Sequence, residues 1–128
     1  MLSIIVPCYN CENTIESCVE SILGALRFSK ITEYEILLIN DGSTDETKKK
    51  LDLLSGNDEK VKVYNQQNSG VSAARNKGID NSVGDYINFI DADDTINEKF
   101  YLPFVKNFAE NIDIFVCGIN NKISPKLH

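Results

Sequence analysis

No apolar run in the sequence approaches the about 20 residues that cross a bilayer. The N-terminus, MLSIIVPCYN, lacks the basic stretch of a secretory leader, and its apolar run is too short for one. It reads instead as the first strand of a fold. Positive charge is not in excess: 13 Lys and Arg stand against 19 Asp and Glu, for a net charge of −6. That argues against a nucleic-acid binder, which needs a basic face. An anionic ligand remains compatible with this balance if a divalent cation mediates the contact. Histidine is confined to His128, so the C-x-x-C of Cys8 and Cys11 lacks the further ligands a zinc site requires. The four cysteines show no disulfide framework of a small secreted domain, and Cys18 and Cys117 fall in apolar patterns as core thiols do. The expected compartment is a reducing cytoplasm. Repeats and low-complexity segments are missing too.

What remains is a chain of 128 residues, 42% apolar and 25% charged, sized for one domain with a real core. Apolar runs alternate with amphipathic ones. Strands are expected at 2–6, 35–39, 61–65, 85–90 and 113–119, the third nearer an edge. Between them, Ile15, Cys18, Val19, Ile22, Leu23 and Leu26 share one face of a helix over 14–27, with Asn13 and Glu16 spaced as a capping box. A second helix follows NDGSTDE, capped from Ser43 to Asp45, with Thr47, Leu51 and Leu54 on one side. Residues 68–79 begin as a turn and become a helix whose Ala73, Ala74 and Gly78 allow close packing on a sheet. Residues 98–109 carry Phe100, Tyr101, Phe104, Val105 and Phe108 at helical spacing. NNKISPKLH reads as a frayed tail. Strand–helix alternation through five strands implies a parallel sheet covered on both faces.

Open parallel sheets bind ligands beyond the carboxyl ends of their strands. That rule selects Pro7, Tyr9 and Asn10 after the first strand. It selects Asn40, Asp41, Gly42 and Ser43 after the second, and Asp91, Asp93 and Asp94 after the fourth. The stretch INFIDADDTI (87–96) crowds three carboxylates that repel one another unless something positive compensates. Asp91 and Asp93, separated by one small residue, can face a hard divalent cation, or they can serve as a helix-entry turn. Asp94 reads as a turn or cap residue. Asp41 can accept a hydrogen bond from a pyrimidine ring N–H or shape its loop as an Asx-turn. Tyr9 can lie against a flat base, with Pro7 fixing the strand exit, or be a half-buried aromatic at a strand end. Arg75 can reach a phosphate or pair with a rim carboxylate.

Four blocks, SIIVPCYNCENTIESCVESIL, EILLINDGSTDET, NSGVSAARNKGI and DYINFIDADD, in this order and spacing, resemble family 2 glycosyltransferases with the GT-A fold. The resemblance runs from residue 2 to about residue 120. It implies a GT-A (Rossmann-like) three-layer α/β/α sandwich with a mainly parallel central sheet. Residues 1–120 would be a nucleotide-diphosphosugar-binding domain and 121–128 a tail. It further implies a UDP- or dTDP-sugar donor, Mn2+ or Mg2+, and a saccharide or lipid-linked acceptor. The setting would be cell-surface polysaccharide or glycolipid synthesis at the cytoplasmic face of a membrane, with peripheral membrane association through other regions. Under the resemblance Pro7, Tyr9 and Asp41 hold the base and ribose, Asp91 contacts the ribose or donor sugar, Asp93 with Asp91 binds the metal, and Arg75 lies near the donor.

Two departures stand out. The family's Asp-Asp at the end of the second strand is Asn40-Asp41 here. The carboxylate that acts as general base in inverting members has no counterpart, since no Asp or Glu follows Asp113. The expectation is a donor-binding half without a catalytic base of its own, so no catalytic residue is named. Two rivals fit less well. A sugar-1-phosphate nucleotidyltransferase needs a glycine-rich loop with a basic residue after the first strand, and PCYNCENT has neither. A receiver-like Mg2+-binding module needs a phosphorylatable Asp ending a middle strand and a Lys ending the last. Tyr64-Asn65 and Cys117-Gly118 stand there instead.

Overall fold

The computed structural model describes residues 1–109, 115–117 and 121–125. Strands and helices alternate as β1 (Leu2–Cys8), α1 (Ile15–Phe28), β2 (Tyr34–Asp41), α2 (Thr47–Asn57), β3 (Val61–Gln66), α3 (Val71–Asn81) and β4 (Tyr86–Phe89). They are followed by α4 (Leu102–Ala109), β5 (Phe115–Cys117) and β6 (Asn121–Pro125). The sheet order is β3-β2-β1-β4-β6-β5, with β3 at an edge. The β1–β2, β2–β3 and β1–β4 pairs are parallel, Ile5 facing Leu37 on one side and Phe89 on the other.

Two expectations are corrected here. Asn121–Pro125, read as part of a tail, is β6, and it pairs antiparallel with β4. Phe115–Cys117, read as a fifth parallel strand, does run in the direction of β4, but it joins the sheet only through the antiparallel β6. A polar segment carrying a proline has weak strand character on its own. Here it is the partner strand that supplies the reason for its extended shape. The remainder of the expected 113–119 strand and residues 126–128 lie outside the described residues.

The period of two along each strand divides the core between the two faces. Ile4, Val6 and Cys8 of β1, with Ile36 and Leu38 of β2, meet the α1 residues Ile15, Cys18, Val19, Ile22 and Leu26. Leu51 of α2, Tyr101 just before α4 and Phe104 of α4 join the same cluster. Ile5, Leu37, Ile39 and Ile87 point the other way, onto Ala74 of α3. The result is three layers. With α1 and α2 on one face and α3 on the other, strand order reverses beside β1, and the chain leaves a crevice between the ends of β1 and β4.

The small-residue helix packs as its composition requires. A Cβ on Gly78 would lie 2.4 Å from Ile5 Cγ2, inside the second core. Gly78→Ala is therefore expected to destabilise the fold by about 1–3 kcal/mol despite alanine's better helix propensity. A urea midpoint unchanged from wild type would show that α3 is free to move off the sheet.

The capping box is also corrected. Thr14, not Asn13, precedes α1, and it makes no side-chain cap bond. The Cys11 carbonyl instead accepts the Thr14 and Ile15 amides at 3.1 and 3.0 Å. For α2 the cap is also shifted: Glu46 stands at the N-cap without a side-chain cap bond, and Asp45, one residue earlier, accepts the Thr47 amide on Oδ1 at 2.9 Å.

Candidate functional site

At the carboxyl end of β1 the chain turns through Asn10, whose φ of 47° is left-handed. Asparagine tolerates that region because its short amide can bond locally. Its Oδ1 accepts the Thr44 amide at 2.8 Å, and its own amide donates to Ser43 Oγ at 3.1 Å. One residue on, the Cys11 amide donates to Thr47 Oγ1 at 2.9 Å. Lys50 Nζ donates to the Glu12 carbonyl at 2.6 Å. The loop after β1 is thus tied to the loop after β2 at several points, and Tyr9 is left 52% exposed at the rim.

Asp41, the last residue of β2, is buried and serves the chain itself. Its Oδ1 accepts Gln66 Nε2 at 2.9 Å and the Ser69 amide at 2.7 Å, and its Oδ2 accepts the Gly70 amide at 3.0 Å. Asn68 Nδ2 donates to the Asp41 carbonyl at 3.1 Å. The carboxylate therefore shapes the segment before α3 and not its own loop, so the Asx-turn reading of Asp41 is corrected. The carboxylate still has acceptor capacity on Oδ2, which carries one protein donor. Gly42 next to it has φ 69°, and a Cβ there would lie 2.6 Å from the Asn68 amide nitrogen, so both the turn and the close approach require glycine. Asn40 is buried, donates Nδ2 to Asn65 Oδ1 at 2.9 Å and accepts the Ser43 amide at 3.1 Å. The Asn40 amide thus ties its strand end to β3 on one side and to the following loop on the other.

After β4, the backbone turns through Asp91–Asp94, the Asp94 amide donating to the Asp91 carbonyl at 3.0 Å. One carboxylate oxygen from each of Asp91, Asp93 and Asp94 lies within 4.8 Å of the others. Asp91 and Asp93 are exposed and Asp94 half-buried. Partial desolvation, then the charges of Asp93 and Asp91, push the Asp94 carboxyl above its ordinary value. Oxygen donors at this spacing suit Mg2+ or Mn2+, which need only one or two protein carboxylates when phosphates complete the shell. The residues present fit such an ion. Asp94, assigned from sequence to a turn, belongs to the same acidic group. Its turn hydrogen bond and its place in the cluster hold together.

Arg75 of α3 approaches Asp91, Nη2 to Oδ1 3.6 Å, with its guanidinium 5.8 Å from the centre of the Phe89 ring. This is the Asp–Arg pairing foreseen as one of its two readings. With side chains 42% and 51% exposed, the pair contributes little to stability.

A single open cavity of about 700 Å3 brings most of these groups together. Pro7, Tyr9, Asp41, Asp91 and Asp93 all line it, alongside Cys8, Cys11, Asn68 and Gly70. Its volume is within the range of small-molecule sites, roughly 300–1,000 Å3. Arg75 is not part of the lining and reaches the site only through Asp91. The segment from Gln66 to Gly70, which anchors Asp41, carried one legible signal: the Asn-Ser-Gly turn before α3, where Gly70 takes φ 97°. Nothing in the sequence marked Cys8 and Cys11 as cavity-lining. Among the described residues, no helix is long and apolar enough to cross a membrane.

A parallel α/β sheet with a cavity across its carboxyl edge and an acidic cluster at the tip of the fourth strand is the GT-A type of Rossmann-like fold, and solved glycosyltransferases share it. The glycosyl transferase family 2 model matches residues 3–127, and the chain belongs to that family. It is 35% identical over 127 residues to the uncharacterized glycosyltransferase EpsJ of Bacillus subtilis, covering 98% of this chain and 36% of that protein. It is 36% identical over 126 residues to the chondroitin synthase of Pasteurella multocida, covering 98% of this chain and 13% of the synthase. Among solved structures, S. aureus TarS 1–349 in complex with UDP-GlcNAc superposes with a TM-score of 0.74 at 32% identity, covering 93% of this chain and 35% of that one. The chain thus spans about a third or less of the length of these relatives.

Proposed function

We propose that this chain is the donor-binding part of a glycosyltransferase that moves a sugar from a nucleotide diphosphate, UDP being the best candidate, to an acceptor hydroxyl. The observation that supports this most is the convergence of Pro7, Tyr9, Asp41, Asp91 and Asp93 on one cavity at the sheet's reversal point. Tyr9 offers a flat exposed face for a pyrimidine, and Oδ2 of Asp41 offers an acceptor for a ring N–H. A TarS neighbour is described in complex with UDP-GlcNAc, which is consistent with that choice.

Asp93 and Asp91, with Asp94 beside them, would hold Mn2+ or Mg2+. When bound, such an ion offsets negative charge on a departing diphosphate. This chain's own residues then do three things. Tyr9 and Asp41 would fix the base, the acidic cluster would hold the ion, and Arg75 would pair with Asp91 from α3. In the proposed inverting reaction the acceptor hydroxyl attacks the anomeric carbon and the C1–O bond to the diphosphate breaks. No general base is assigned to the residues described here. The acceptor would be a saccharide or a lipid-linked saccharide in cell-surface polysaccharide or glycolipid assembly, on the cytoplasmic side.

A thermal-shift screen of UDP, GDP, CDP and dTDP with and without Mn2+ tests the reading. UDP with metal should stabilise the protein most. Preference for a nucleoside triphosphate would instead favour the sugar-nucleotide synthase, and no response to any nucleotide would overturn the donor assignment.

A further inference from the structure

The ends of β2 and β3 carry two side-chain rungs that the backbone register sets. Parallel pairing places Asn40 opposite Asn65 and Asp41 opposite Gln66. Successive rungs point to opposite faces of the sheet. On one face Asn40 Nδ2 donates to Asn65 Oδ1 at 2.9 Å. On the other, Gln66 Nε2 donates to Asp41 Oδ1, also at 2.9 Å. The second rung reaches the cavity through Asp41, while Gln66 stands outside the lining.

Asp41 is 4% exposed, so little water is available to its carboxylate. Three N–H groups take the place of water. Gln66 and the Ser69 amide, the latter at 2.7 Å, both bond Oδ1. The Gly70 amide, at 3.0 Å, bonds Oδ2. Gly70 lines the cavity, whereas Gln66 and Ser69 do not. The less occupied oxygen is therefore the one on the cavity side. A carboxylate offers acceptors only, so whatever meets the open position on Oδ2 must donate. The Ser69 and Gly70 amides belong to the turn before α3. Gln66 is the donor that comes from the sheet, and it ties the carboxylate to the rigid part of the fold.

We infer that Gln66 is a positioning residue: by holding Oδ1 from outside the cavity it keeps Oδ2 aimed at a base with a ring N–H, and so selects uracil against cytosine. The inference rests on the donor reading above and sharpens it. Uracil carries an N–H between its two carbonyls. Cytosine carries a bare ring nitrogen in the same place, which is an acceptor. Facing Oδ2, the first makes a hydrogen bond, and the second sets two acceptors against each other. A site built to bond a substrate N–H rejects the analogue lacking it, because a buried polar group is then left unpaired. That contrast holds only while the carboxylate is kept from turning. With the Gln66 bond gone, Oδ1 would carry one protein donor, as Oδ2 does, and the two oxygens would no longer be distinguished.

Calorimetry with UDP and with CDP, each in the presence of Mn2+, tests this on wild type and three variants. Wild type should bind UDP at least about tenfold more tightly than CDP. Gln66→Met keeps the side-chain length and loses the donor. Gln66→Glu keeps the shape and sets a second acceptor against Oδ1. Both should weaken UDP binding about tenfold, leave CDP binding nearly unchanged and bring the ratio toward one. Asn65→Leu breaks the neighbouring rung on the other face. It should lower the melting temperature while keeping the wild-type ratio, which separates positioning from the stability of the strand end. In wild type, the Gln66 side-chain amide resonances should shift with UDP and stay in place with CDP, a measurement that needs no variant to fold. A wild-type ratio in Gln66→Met and Gln66→Glu, an equal loss of selectivity in Asn65→Leu, or Gln66 resonances unmoved by bound UDP would overturn the inference. Wild type binding UDP and CDP equally would overturn it and leave the donor reading standing. Wild type binding no nucleotide would overturn both.

Discussion

Asp93→Asn is expected to abolish the contribution of Mn2+ to UDP binding while leaving the metal-free protein as stable as wild type or slightly more so. The two effects have opposite causes at one position. In the metal-free protein the Asp91, Asp93 and Asp94 carboxylates lie within 4.8 Å of one another, and removing one charge relieves repulsion. With metal present, the same substitution removes an anionic oxygen ligand from a hard cation, and an amide oxygen is a poorer substitute. A ligand at about 100 times its dissociation constant stabilises the native state by about 2.7 kcal/mol. Losing the ion's share of UDP affinity should therefore remove a shift of that order from the melting curve. Calorimetry of UDP with and without Mn2+, on wild type and Asp93→Asn, makes the comparison. Asp94→Asn should give a smaller loss, because Asp94 lies back from the cavity lining. If Asp93→Asn retained the full metal dependence, the acidic cluster would be a solvated turn and nothing more.

The second large effect lies at the opposite end of the sheet. Glu35, at the start of β2, is only 1% exposed. Its Oε2 accepts Ser3 Oγ at 2.8 Å and the Val83 amide at 2.7 Å, and its Oε1 accepts Lys62 Nζ at 3.2 Å. Ser3 Oγ in turn accepts the Gly84 amide at 2.9 Å. One carboxylate therefore joins β1, β2, β3 and the turn before β4. Glu35→Ala would take away the acceptor shared by the buried Ser3 hydroxyl, the Val83 amide and Lys62, and should destabilise the fold by about 3 kcal/mol. Burial raises the Glu35 carboxyl, but the bonds from Val83, Ser3 and Lys62 outweigh it and hold the group below its ordinary value of 4.5. The fold thus favours the ionised form. Its stabilising contribution is complete above the unfolded-state value and is lost as pH falls through the lower folded value. Urea unfolding from pH 7 downward should show stability falling in that acidic window, with the fall reduced in Glu35→Gln. Equal acid sensitivity in the two proteins would assign the titration to other carboxylates.

Neither cluster was equally visible in the residues alone. Asp91, Asp93 and Asp94 announce themselves because three carboxylates follow an apolar run, and a strand's carboxyl end is where parallel sheets place chemistry. Glu35 gives no such sign. A charged residue opening an apolar run reads as an ordinary strand start, and only the approach of Ser3, Lys62 and Val83 from distant positions makes it a buried hub. Asp41 is an intermediate case. Its location was legible, but the three donors from Gln66, Ser69 and Gly70 that occupy its carboxylate come from a segment about 25 residues away.

The amino-acid order by itself determined the alternation of strands and helices, because periods of 2 and 3.6 are local properties of the backbone. It also determined which strand ends carry polar side chains. It did not determine the order β3-β2-β1-β4-β6-β5, nor that Asn121–Pro125 would extend the sheet antiparallel to β4. Those depend on which strand finds which partner across the chain. The same holds for the cavity: a spacing of 32 residues between Tyr9 and Asp41, and of 50 between Asp41 and Asp91, becomes one site only when parallel pairing sets β1, β2 and β4 side by side.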